Sequence, residues 1–481
     1  MEGVTRETHS VREHPANPVF NPHRNYPHYI VPDPEVGYRL YYNHAGGWVQ
    51  HVAHSKDGIN WDLPDLNVGD FDRSHIPDGP NNVIGAGEIN GLFYEPHDPD
   101  PDRRWKMIVR PTTRTFKHKR WPYLNLSPEK RDQMGVPYEL RVSPDGYRWK
   151  FEAETNHWKG PTADFDAPTY QPYAGSDVFR TRWDPVLRKY VGNTKHRIGP
   201  DFRLSSIFHS ARVVGQIESD DLTHWSAPRI YAYPDSINAA HQPLNGMHGI
   251  YEADGYPYES MWMSNLSMTN YTPATNRQMR DHNLMDSRPY IKRNWIRAAA
   301  SRNGRHWYYF GDRKPLVPLG PDGAWNSGYL RAVNLVTTGG PIVKGDELWF
   351  YYRGSTIDGP KNTWGHAMGI GILRRDGFAS LNAGPDGGLV ITRPFVFEVE
   401  GRLHVNVDAG KDGSLRASVV DEDTAEPLPG FTEADSSVVV GDSPRARVGW
   451  RGHETLSPHK KRYARLAFHL KNARLYSFWI E

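Results

Sequence analysis

Cysteine is absent from the 481 residues, which excludes disulfides, thiolate metal sites and a cysteine nucleophile. An excess of charge of one sign is also lacking: 58 Lys+Arg stand against 56 Asp+Glu, a formal net charge of +2. That balance gives no electrostatic case for nucleic acid or an anionic membrane as partner. No apolar run approaches the roughly 18 residues needed to span a bilayer. The start, Met1-Glu2-Gly3-Val4-Thr5-Arg6-Glu7, has no apolar core of the signal-peptide kind. The expectation is a soluble, cytoplasmic chain; nothing in it sets the oligomeric state. Turn formers are plentiful, with 44 Gly and 39 Pro, the balance of many short strands joined by turns rather than of a disordered segment. Aromatic residues are abundant too, 16 Trp and 26 Tyr, which suits half-buried pleated surfaces and sugar platforms alike.

One stretch recurs. Ser55-Lys56-Asp57-Gly58-Ile59-Asn60-Trp61 returns as Ser143-Pro144-Asp145-Gly146-Tyr147-Arg148-Trp149, as Ser219-Asp220-Asp221-Leu222-Thr223-His224-Trp225 and as Ser301-Arg302-Asn303-Gly304-Arg305-His306-Trp307. A worn fifth copy, Arg374-Arg375-Asp376-Gly377-Phe378-Ala379-Ser380, keeps the turn and lacks the tryptophan. The copies start 88, 76, 82 and 73 residues apart, a near-constant period longer than a solenoid unit and fitting a ring of four-stranded blades. Asp-Gly or Asn-Gly supplies the positive φ angles of a two-residue hairpin turn. The preceding serine tightens it, and the tryptophan lands where it wedges between blades.

The expected fold is all-β: a five-bladed β-propeller over residues 26–395, preceded by a polar, His/Pro-rich arm (1–25) and followed by a β-sandwich (396–481). After Pro394 the segments Leu403-His404-Val405-Asn406-Val407 and Tyr463-Ala464-Arg465-Leu466-Ala467-Phe468 alternate apolar and polar without the blade motif. A basic and aromatic insertion, residues 112–135, reads as a solvated excursion or as a loop over the site.

Five blades and a sandwich resemble the glycoside hydrolase superfamily that includes families 32, 43, 68 and 117. The repeat, Arg182-Trp183-Asp184-Pro185 and Gly345-Asp346-Glu347-Leu348-Trp349-Phe350-Tyr351-Tyr352 are similar to bacterial proteins labelled family-32-like. The resemblance implies a glycosidase acting on a small, furanoside-containing oligosaccharide or glycoside. It leaves catalytic residues open, because the family-32 nucleophile motif Trp-x-Asn-Asp-Pro-Asn-Gly is missing and its Glu-Cys pair cannot exist here. Asp184-Pro185 reads instead as a turn between strands. No cofactor is implied, although related propellers hold a Ca²⁺ or other divalent ion in the central channel.

A glycosidase needs two carboxyl groups, one protonated and one ionised, converging on the funnel where the inner strands begin. Asp177 is the favoured base or nucleophile and Glu259 the favoured acid, with Glu88 in reserve, the small residues Gly85 to Gly87 leaving room for a ligand. Each carboxylate has a structural alternative, capping a backbone or pairing with an arginine. His248, Glu252, Arg331, Asn334 and Trp325 are candidate substrate contacts, Trp325 being equally suited to core packing. Two rivals stand beside hydrolysis. An inverting phosphorylase would use Arg180, Arg182, Lys195, His196, Arg197 and Arg331 on phosphate, and a non-catalytic carbohydrate-binding propeller would need no carboxylate.

Overall fold

A computed structural model describes residues 1–21, 25–44, 49–69, 80–110, 138–155, 179–198, 211–232, 247–273, 275, 290–310, 312, 314–336, 339–356, 366–398, 400–424, 426–456 and 462–481. The 112–135 insertion lies outside the described residues. The described chain is β throughout apart from one 3-10 turn at Pro101–Arg103.

The N-terminal segment gives β1 (Val4–Thr8) and β2 (Arg12–Glu13). Blade one follows with β3 (Asn25–Asp33), β4 (Gly37–His44), β5 (Val49–Ser55) and β6 (Val83–Ala86). Blade two is β7 (Glu88–Tyr94), β8 (Trp105–Arg110), β9 (Tyr138–Ser143) and β10 (Lys150–Thr155). Blade three is β11 (Phe179–Asp184), β12 (Lys189–Ile198), β13 (Ala211–Ser219) and β14 (Arg229–Ala232). Blade four is β15 (Met247–Tyr258), β16 (Met261–Pro273), β17 (Tyr290–Ser301) and β18 (Tyr308–Tyr309). Blade five opens with β19 (Tyr329–Ala332), β20 (Asn334–Leu335) and β21 (Ile342–Lys344), then β22 (Glu347–Ser355) and β23 (Ala367–Arg374).

Blade five takes its outer strand from the N-terminus: β2 pairs antiparallel with β23, Arg12 opposite Ile372. The ring closes where β20 pairs in parallel with β3, Asn334 opposite Tyr29. The segment read as an arm is therefore structural, because Val11 and Phe20 are apolar side chains that bury in the seams beside blade five.

Five of the six buried apolar clusters fill the five seams between neighbouring blades. The repeat explains the seams. Trp61, Trp149, Trp225 and Trp307 each pack on the blade before their own. In the fifth copy Phe378, two residues earlier than the missing tryptophan, does the same. The turn itself is wider than a two-residue hairpin. Asp57 Oδ1 accepts from the backbone N–H of Ile59 and of Asn60, both at 2.8 Å, while Gly58 N–H donates to Ser55 Oγ at 2.9 Å. Gly58 (φ 80°) and Gly146 (φ 78°) sit in the left-handed region and press against tyrosines of the preceding blade, Tyr351 and Tyr41.

The sandwich sheets are β1–β24–β31–β27–β29 and one of β25, β30, β26 and β28. Their strands are β24 (Ala379–Ala383), β25 (Gly388–Ile391), β26 (Phe395–Val396), β27 (Leu403–Asp408), β28 (Ser414–Val420), β29 (Asp442–Val448), β30 (Tyr463–Lys471) and β31 (Ala473–Ile480). The sixth cluster, including Leu403, Val405, Leu466 and Phe468, lies between them. β24 and β25 thus place the start of the sandwich near residue 379, directly after the fifth repeat turn. Arg374 Nε donates to Asn406 Oδ1 at 2.6 Å and Ser477 Oγ to Asp376 Oδ2 at 2.7 Å. The sandwich therefore docks on the face that carries the repeat turns, and the inner strands begin at the opposite face.

Candidate functional site

Three inner strands carry a one-residue bulge, at His28 in β3, Asn90 in β7 and Tyr251 in β15. A bulge shifts the alternation of the strand and re-aims the residues after it. Ile89 and Leu92 share one seam, and so do Ile250 and Ala253, although three residues separate each pair. Strict period two forbids that; the bulge permits it and turns Glu252 and Asp254, two apart, onto the funnel side together.

At the centre Glu252 accepts from Arg180 of blade three and Arg331 of blade five, one carboxylate oxygen to each. Its side chain is 1% exposed. Burial alone would raise its pKa, but Arg180, Arg331 and Arg353 outweigh burial and hold it down at about 2. Arg180 also lies 2.9 Å from His28 Nδ1. Burial, followed by the charges of Arg180, Arg353 and Arg331, keeps His28 well below the usual histidine range and so neutral.

Asp254 sits next along the strand. Asn334 Nδ2 donates to its Oδ1 at 3.0 Å. Burial first, and then the negative charge of Glu252, push Asp254 up to about 7. Beside it a cavity lined by Tyr29, Arg180, Thr181, Arg182, Asn193 and Asn334 has about 10 Å³ open to a water-sized sphere, room for about one water molecule. Nearer the mouth, Glu88 begins β7 and pairs with Arg110 at 3.1 Å. Two carboxyl groups driven apart in pKa by their surroundings are the division of labour that acid–base chemistry requires. Glu252 is held in its ionised form well into the acid range, while Asp254 is pushed toward keeping its proton up to near neutrality.

The sequence candidates separate cleanly. Glu88, Glu252, Arg331 and Asn334 belong to the funnel, as do Arg180 and Arg182. Asp177 and the side chains of His248, His196 and Arg197 lie outside the described residues; the backbone of His248 is in β15 opposite Asn270. Glu259 is a correction. It has φ 49° in the turn after β15, its side chain is 59% exposed and it pairs with Arg375 at 3.2 Å. β15 runs on to Tyr258, so Glu259 lies seven residues past Glu252, roughly 23 Å at the strand rise, on the sandwich face. Trp325 is a second correction. Its ring stacks on Tyr352 at 5.4 Å and covers Gly354 and Gly369, where a Cβ would meet it at 2.9 and 2.6 Å, so it is a packing residue. The space expected before Glu88 is also filled: a Cβ on Gly85 would meet Gln50 at 2.4 Å, and one on Gly87 would meet Val109 at 2.4 Å. Asp184 caps the turn after β11 through the N–H groups of Val186 and Leu187, both at 3.0 Å, in keeping with its reading as a turn residue.

Sequence reasoning missed Asp254, Tyr251, His28 and Arg353. Glu252-x-Asp254 and Arg180-x-Arg182 do carry a signal, since residues two apart on a strand face the same way. For Arg353 there was none, because it lies on the second strand of its blade.

Both Glu252 oxygens are taken by guanidinium groups, which donate and cannot ligate a metal, and among the described residues no group of three His, Asp or Glu could hold a metal ion.

No protein-family model matches the chain, and no curated protein does. Solved structures with a similar arrangement include a thermostable family-43 glycoside hydrolase, at 15% identity and TM-score 0.42, covering 76% of this chain and 95% of that one. The exo-inulinase from Aspergillus awamori covers 97% of this chain and 99% of its own, at 11% identity and TM-score 0.36. A β-1,2-mannobiose phosphorylase from Listeria innocua covers 76% and 80%, at 10% identity and TM-score 0.28.

Proposed function

We propose that this chain is a glycosidase that cleaves a small oligosaccharide or glycoside in the propeller funnel, with a furanoside as the first substrate to test. One observation carries the reading: Glu88, Glu252 and Asp254 converge from two blades on the axis of a closed ring and are held by arginines from three. Hydrolysis requires a proton delivered to the glycosidic oxygen as its bond to the anomeric carbon breaks, and a carboxylate that acts on that carbon or on the attacking water. Glu88, at the start of its strand, takes one of these two roles in this reading, and Asp177, two residues before β11, is its sequence-based partner. Asp254 keeps a proton behind Glu252, which fixes Arg180 and Arg331.

The test is a panel of aryl furanosides and pyranosides with wild type, Glu88→Gln, Asp177→Asn and Asp254→Asn. Loss of at least a hundredfold in kcat for Glu88→Gln or Asp177→Asn is expected, since a positioned acid or base contributes about 10²–10⁴-fold. Full activity in all three variants would remove the assignment. Sugar binding with no turnover on any glycoside, indifferent to these substitutions, would favour a binding propeller instead.

A further inference from the structure

The cavity beside Asp254 is polar where a packing defect would be apolar. Arg182 from blade three and Asn334 from blade five both line it. Both residues are more than nine-tenths buried, at 7% and 6% exposure. Arg182 Nη1 donates to Asp184 Oδ2 at 2.8 Å, while its Nε–H has no protein partner. Asn334 Nδ2 donates to Asp254 Oδ1 at 3.0 Å, while its Oδ1 has none. Thr181, a third residue of the wall, has an unpartnered hydroxyl as well.

Arg182 Nε–H can only donate and Asn334 Oδ1 can only accept. A bond between the two would satisfy both, and the protein does not form it. Each buried polar atom left unpaired is costly. Both residues instead face a shared space with about 10 Å³ open to a water-sized sphere. Apolar voids of that size stay dry, but a buried space with two to four polar groups in its wall holds an ordered water. A bridging water is nearly as favourable in enthalpy as the direct bond it replaces.

We infer that this cavity is a binding site for one ordered water, which accepts from Arg182 Nε–H and donates to Asn334 Oδ1. The chemistry of the wall selects water. A halide would meet the negative end of the Asn334 amide, and a metal ion would meet the Arg182 guanidinium. The water completes a chain of polar contacts across three blades. Asn334 of blade five holds Asp254 of blade four, and the water joins Asn334 to Arg182 of blade three. Arg182 in turn holds Asp184, which takes Trp262 Nε1–H of blade four at 2.9 Å and caps the turn after β11. The water thus fixes the side chain that holds Asp254, whichever reaction the funnel performs.

A crystal structure of the full chain, at a resolution that shows ordered solvent, tests it. One peak is expected at hydrogen-bond distance, about 2.7–3.2 Å, from both Arg182 Nε and Asn334 Oδ1. Oxygen-17 relaxation dispersion in solution should count one more long-lived water in wild type than in Val336→Ile, which adds a methyl group to the cavity wall. Displacing the water strands a donor and an acceptor, so the urea midpoint of Val336→Ile should fall. A cavity without a peak, or a midpoint that rises because the methyl group fills a dry void, overturns the site. So does an anomalous peak at that point after bromide soaking, which marks an anion. If Val336→Ile does not fold, the wild-type density decides alone. Turnover in Glu88→Gln and Asp177→Asn bears on the glycosidase reading only, so the two proposals stand or fall separately.

Discussion

Glu252 and Asp254 differ by one methylene and two positions, yet the protein drives them in opposite directions. For Glu252 the folded pKa lies near 2, below the ordinary 4.5. Its ionised form therefore stabilises the fold at and above pH 4.5, and that contribution is lost as pH falls toward 2. For Asp254 the folded value is near 7, above the ordinary 3.8. Between those values the folded chain holds a proton that the unfolded chain has released, so stability declines as pH rises through the window and stays lower above it. Asp254→Asn should flatten that decline in denaturant unfolding measured from pH 4 to 8; a slope unchanged from wild type would show that Asp254 does not cause it. Glu252→Gln leaves two buried arginines without their counter-charge, and breaking a buried pair in this way costs about 3–5 kcal/mol. Glu259→Gln should cost less than about 1 kcal/mol, since its ion pair is exposed, and should leave turnover untouched. The sequence showed Glu252 as a funnel residue but promoted Glu259, because nothing local says that β15 is long enough to carry Glu259 to the far face.

Elements were more legible than residues where the chemistry is local. Ser-x-Asp-Gly announces its turn because the side chains that close it are inside the motif: Ser143 Oγ and Asp145 Oδ1 between them receive the N–H groups of Gly146, Tyr147 and Arg148. The inner-strand bulges have no such marker, so the parity of the funnel face could not be read and Tyr251 and Asp254 were passed over. The third repeat shows how far the motif can bend. Leu222 replaces glycine at φ 67°, a conformation that costs a non-glycine residue roughly 1–2 kcal/mol. Its side chain is 1% exposed in the seam between blades two and three, and burying a leucine contributes about 1.5–3 kcal/mol. Burial exceeds strain, so Leu222→Gly should lower stability by about 1 kcal/mol despite easing the backbone. At Gly146 the balance is reversed: a Cβ would meet Tyr41 Oη at 2.6 Å and Arg39 Nη1 at 3.0 Å. Gly146→Ala should cost at least about 1 kcal/mol, read as a lower urea midpoint at constant m-value.

At the scale of the whole molecule the decisive step is closure. A ring of blades is stable only when its last blade meets its first, and two contacts do this here: β20 on β3, and β2 on β23. The second joins residues about 360 positions apart, and no periodicity in the sequence could show it, because β2 is two residues long and lies outside the repeats. The same segment places β1 on the edge of the sandwich through β24, so it ties both halves of the protein. Removing residues 1–21 would strip Val11 and Phe20 from two seams and leave β23 as an open edge available to other chains. The truncated protein should unfold at a lower temperature and aggregate on size exclusion. Arg12→Ala, which removes only a solvent-exposed pair with Glu347, should shift stability by less than about 1 kcal/mol. If truncation proved as mild as that substitution, the N-terminal strands would be ornaments on a ring closed by β20 and β3 alone. If it unfolds the propeller and sandwich together, the N-terminal segment is the element that makes them one cooperative unit.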